Sequence, residues 1–138
     1  MLAKFRYLTT DLDLESPESL VPLVAAFKFR GMHCWPPTHG ADGSCYGMWN
    51  TDERFDQPEP NIAAMLTAIE SLGEPERRLW ETCSIRRDFN IGCDCGVTPW
   101  AFNFALSPEL LGRIAALGAK VVVTLYPEER IDETDESE

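Results

Sequence analysis

Basic residues are scarce in this chain: 12 lysines and arginines stand against 23 aspartates and glutamates in 138 residues, a formal net charge of −11. Nucleic acids and anionic membranes are bound through clustered Lys and Arg, so the scarcity argues against both as partners. A long hydrophobic run is also missing, since nothing approaches the roughly 20 apolar residues that span a bilayer. The opening Met-Leu-Ala-Lys-Phe-Arg-Tyr lacks the apolar stretch of a secretory signal, and a cytoplasmic location is expected. The cysteines (Cys34, Cys45, Cys83, Cys93 and Cys95) are odd in number, which favours free thiols over a disulfide framework. No P-loop, dinucleotide fingerprint or nucleophile elbow occurs. No cofactor is expected, and the chain does not read as an enzyme.

What is there is acid, unevenly spread. Residues 128–138 hold seven carboxylates and one arginine, a composition expected of a solvated, mobile tail. Residues 1–127 have the length of one domain with a core of its own. An acidic body permits a basic protein partner, because opposite fields steer encounter and strengthen association at low salt.

Residue periodicity sketches the fold. Phe5, Tyr7 and Thr9 alternate as an opening strand. Asp11, Asp13 and Glu15 are expected in a turn that leads to a helix starting at Ser19, with Pro22 in its first turn and Leu20, Leu23, Val24 and Phe27 at helical spacing. Residues 31–44, with three glycines and two prolines, read as a long irregular loop. Cys45–Asn50 reads as a strand with Cys45 and Trp49 on one face. Pro60 and Asn61 introduce a helix whose stripe is Ile62, Met65, Leu66 and Ile69, and Pro75 opens one further turn before Trp80. Cys83–Ile91 alternates as a strand, with Arg87 the odd member of its apolar face, and Gly92–Gly96 turns the chain.

The last third is the clearest. Trp100, Phe102, Phe104 and Leu106 alternate as a strand; Ser107, Pro108 and Glu109 start a helix with Leu110, Leu111, Ile114 and Leu117 inward; Gly118 stops it; and Val121–Tyr126 returns to the sheet. The expected order is β-α-β-α-β-β-α-β. The expected class is α+β, a single domain in which helices cover one face of a mixed or mostly antiparallel sheet.

These pieces together resemble a bacterial family labelled domain of unknown function 4279. The resemblance runs over roughly residues 3–127, through the opening strand and helix, Trp49, the Ile62–Leu72 helix, and above all Leu106-Ser-Pro-Glu-Leu-Leu111 through Leu117-Gly118-Ala119 to Leu125-Tyr126. The chain departs from the pattern at Phe27–Gly31, at Pro36-Pro37 and at the cysteine-bearing turn 93–95. The resemblance implies a compact fold and brings no activity with it.

Three features bear on chemistry. Cys93-Asp94-Cys95 between glycines can present two thiolates to a metal, with Cys83, Cys34, Cys45 or His33 to complete a set, but zinc sites usually show C-x₂₋₄-C pairs and this chain has none. His33, Cys34 and His39 lack an identifiable third, orienting group for nucleophilic catalysis. Trp35, in the 31–44 loop, is either an interface anchor or a lid folded back on the sheet. The function expected is that of a non-catalytic bacterial protein-binding protein, an immunity protein or inhibitor that neutralises a basic partner such as a toxin domain. Trp35, His33, Asp42, Asp52 and Glu53 are its expected contacts. The alternative is a small-ligand or metal-binding module built on the 31–44 loop and the 93–95 turn.

Overall fold

Asp11-Leu12-Asp13-Leu14-Glu15 alternates charged and apolar residues, and this segment is the middle strand of the sheet rather than a turn. Its leucines are fully buried on one side, which outweighs the low strand preference of aspartate. The computed structural model describes residues 3–127, so the acidic segment 128–138 lies outside the described residues.

The strands are β1 (Arg6–Ser16), β2 (Met32–Cys34), β3 (Thr38–His39), β4 (Cys45–Thr51), β5 (Arg86–Asp94) and β6 (Lys120–Tyr126). The helices are α1 (Val21–Lys28), α2 (Pro58–Glu70), α3 (Glu74–Glu81) and α4 (Pro108–Ala116). The sheet order is β2-β4-β1-β5-β6, with β3 also on β4. Of the strand pairs among the described residues, β5–β6 alone is parallel, so the sheet is mixed and the domain α+β.

The elements differ from expectation in several places, and β5 begins at Arg86 rather than Cys83. Residues 31–44 are not wholly irregular: β2 and β3 pair with β4 on either side of Pro36-Pro37, as short edge strands that pair on one side can. Residues 100–106 form no strand. The edge of β5 is taken by β6, so Phe102, Phe104 and Leu106 pack at the margin of the core without a ladder, while Trp100 is 97% exposed. Helix α1 starts at Val21 after an uncapped Leu20, and Pro22 still falls in the tolerated first turn. Pro58 opens α2 two residues before the expected start, and α3 extends over eight residues.

The buried apolar side chains of the sheet belong to one parity: Leu12 and Leu14, Met32, Cys45 and Trp49, Phe89, Ile91 and Cys93. Against it lie Leu23 and Phe27 of α1, the expected Ile62–Ile69 stripe of α2, Trp80 of α3, and Leu110 and Ile114 of α4. The Trp49 ring meets Phe27 edge-on at 5.4 Å and lies over Gly47, where a Cβ would come within 2.6 Å of the indole. Asn61 of α2 pins that helix to the sheet, accepting from Thr10 N–H (3.1 Å) and Tyr7 OH (2.6 Å) beside the bulge at Tyr7/Thr9.

The ending follows the expected order, except that Leu111, expected inward, is 45% exposed. Ser107 Oγ accepts from Leu110 N–H (3.1 Å), and Gly118 takes φ +70°. Arg87, the odd member of the apolar face, donates to the Cys83 and Leu117 carbonyls (3.0 and 3.1 Å), so it satisfies the end of α4 instead of burying a lone charge. Among the described residues no helix is long and apolar enough to cross a membrane.

Candidate functional site: the helix-free face of the sheet

Because side chains alternate, the opposite parity of the same strands faces away from the helices. That face carries Asp11, Asp13 and Glu15 on β1, Tyr46, Met48 and Asn50 on β4, and Arg86, Asp88 and Asn90 on β5. His33 of β2 sits opposite Asn50 and extends the row, as Lys120, Val122 and Thr124 do on β6. The polar groups are tied to one another across the strands. Asn50 donates to Asp11, Thr124 Oγ1 lies 2.7 Å from Asn90 Oδ1, and the Arg86 guanidinium stands 5.7 Å from the Tyr46 ring centre and 3.8 Å from Glu15.

The centre is acidic and partly desolvated. Asp13 and Asp88 are opposite each other in the β1–β5 register, 5% and 7% exposed. Burial pushes the Asp13 carboxyl up to about 6, helped by the negative Asp11 and Asp88 and resisted by Asn90 and Arg86. Burial also raises Asp11, against its bond from Asn50. Tyr46 is raised by burial and then by Asp13, against the pull of Arg86.

At the β2 end of this face lies a groove of about 470 Å³ lined by Thr9, His33, Asn50, Asp52, Glu53 and Arg54, among others. His33 Nδ1 and Asp52 Oδ1 are 2.6 Å apart, on side chains more than half exposed. The lining brings no serine or cysteine to that imidazole.

Three of the five expected contact residues, His33, Asp52 and Glu53, therefore meet in one groove. Asp42 does not join them. It lies before the start of β4, whereas the groove is lined by Asn50 and Thr51 at that strand's end, and there it accepts from Ser44 N–H (3.0 Å) and Oγ (2.8 Å), bonds that hold its carboxyl below the usual range. Trp35 is no lid: it follows edge strand β2 and is 82% exposed.

Cys93 and Asp94 belong to β5 and not to a turn. The parallel ladder with β6 carries the strand further than the flanking glycines suggest, and Cys95 N–H still bonds Tyr126 O at 2.9 Å. Cys93 is buried on the helix side, where loss of solvent raises its thiol pKa. Among the described residues no three His, Cys, Asp or Glu side chains are placed to share a metal ion. Cys34 alternates with His33 and so points to the other face, its thiol likewise raised by burial.

Periodicity missed Asp11, Asp13 and Asp88. The signal was available in the strict alternation of Asp11–Glu15 with Leu12 and Leu14. Fold and site together define a class: a single α+β domain with one helix-covered face and one open, carboxylate-rich sheet face. Compared with protein-family models, with curated proteins and with solved structures, the chain matches none.

Proposed function

We propose that the chain is a non-catalytic bacterial binding protein that neutralises a basic protein partner, in the manner of an immunity protein or inhibitor, and that it docks through the helix-free face. The observation that carries this reading is the set of four carboxylates, Asp11, Asp13, Glu15 and Asp88, on adjacent central strands of a sheet face that no helix packs against among the described residues. A basic cleft laid on it would exchange water for opposite charge, and the acidic body would speed the encounter at low salt. Asp52 and Glu53 extend the acidic surface at one end, and the exposed Trp35 offers an aromatic anchor at the β2 edge. Inhibition would follow from occlusion, with no chemistry asked of this chain.

The test is a tagged pull-down from the native cells at low and high salt, with mass spectrometry of what co-purifies. Asp52→Lys/Glu53→Lys and Trp35→Ala are run beside Glu81→Lys, on α3 at the helix side. One basic, stoichiometric partner is expected, released by salt, lost with the first two variants and kept with the third. Capture indifferent to salt and to all three changes overturns the reading.

A second reading rests on the groove itself, whose His33, Asn50, Asp52 and Arg54 suit a small polar ligand. An empty pull-down, with a melting temperature raised by a metabolite mixture and unmoved in Asp52→Ala, would favour it.

A further inference from the structure

Asp13 and Asp88 stand side by side on paired strands, and each leaves its Oδ1 buried without a hydrogen-bond partner. Lys120 reaches only to 3.9 Å between its Nζ, on a mostly exposed side chain, and Asp88 Oδ1, too far for a hydrogen bond, while Arg86 is the cation that acts on Asp13. Like charges directly opposite each other in a sheet destabilise it, and burial sharpens the penalty. What the pair lacks is a cationic donor able to serve two oxygens at once. A metal finds no third ligand among the described residues. A guanidinium suits the pair: its planar fork donates to two acceptors together, and it sheds water more easily than an ammonium. The same face already carries one guanidinium, Arg86, which stands over the Tyr46 ring 3.8 Å from Glu15.

The geometry points to the Asp13–Asp88 pair as the seat of an arginine side chain from the basic protein partner. This rests on the docking face proposed above and names its central anchor. Seating the arginine requires Asp13 to be ionised. The groups around Asp13 are Asp11 and Glu15 on its own strand, Asp88 and Arg86 on β5 and Tyr46 on β4, with Lys120 of β6 beyond Asp88. Recognition therefore weakens as pH falls through about 6, where Asp13 takes up its proton.

Hexa-arginine and hexa-lysine are the probes, titrated into the full chain at about pH 7.5 and about pH 5 while the Asp13 carboxyl resonance is followed by NMR. At the higher pH hexa-arginine is expected to bind about tenfold more tightly than hexa-lysine and to lower the Asp13 pKa. Asp13→Asn and Asp88→Asn should each abolish the preference, and Glu81→Gln should keep it. Thermal unfolding of each variant separates lost recognition from lost fold.

Equal affinity for the two peptides, an Asp13 resonance that does not move, or no binding of either peptide overturns the arginine seat. None of these results bears on the salt-dependent pull-down, so failure of the arginine seat and failure of the docking face are told apart.

Discussion

Asp13 is held at a cost that its substitution should expose. Its carboxyl keeps a proton up to about pH 6 in the folded chain and up to 3.8 at its ordinary value. Between those limits the folded state binds more protons than the unfolded one, so stability falls as pH rises through the window. The loss is on the order of 2 kcal/mol, complete above about pH 7. Asp11, also raised by burial, adds to it with the same sign. Asp13→Asn should therefore be more stable than the parent by about 1–2 kcal/mol in urea unfolding near neutral pH, with little gain at about pH 4. No gain at either pH would mean that Asp13 is well solvated. A residue whose removal stabilises the fold while weakening recognition is one that packing alone does not explain.

At the scale of elements, the α4–β6 connection concentrates several constraints on Gly118. Its φ of +70° disfavours any side chain, and a Cβ there would stand 2.7 Å from Arg87 Nη1, which serves the Leu117 carbonyl. Gly118→Ala should cost about 1–3 kcal/mol, more than the roughly 1 kcal/mol expected for removing the Ser107 cap with Ser107→Ala. Both are readable from urea midpoints, and a smaller effect at Gly118 than at Ser107 would contradict the account. This ending was legible in sequence, Leu111 apart, because cap, stripe and stop signal all act locally. So were the α2 stripe and the burial of Trp49. Residues 100–106 misled because alternation records one-sided contact, and a ladder also needs a free edge, which β6 had taken. The candidate site was less legible: the groove gathers His33, Asp52 and Glu53 from the expected contacts, but the Asp13–Asp88 pairing is a matter of register between strands more than seventy residues apart. Only the tertiary fold sets that register.

For the whole molecule, the surplus of acid acts on folding and on binding in opposite senses. The cross-strand and helix ion pairs (Arg6–Asp94, Arg86–Glu15 and Arg113–Glu70) involve partly or largely exposed side chains, so salt removes little when it screens them. The net charge of −11 repels itself in the compact state, and salt relieves that repulsion. Raising ionic strength from about 0.05 M to about 0.5 M should thus raise the melting temperature of the free protein by a few degrees. The same change should weaken the complex with a basic partner about tenfold or more, since intermolecular attraction is screened as readily as intramolecular repulsion. Calorimetry on the free chain and titration of the complex over one salt series give both slopes. A melting temperature that falls with salt would show that internal ion pairs hold the fold together. A rising melting temperature with a salt-independent complex would leave the acidity a matter of solubility and remove electrostatics from recognition.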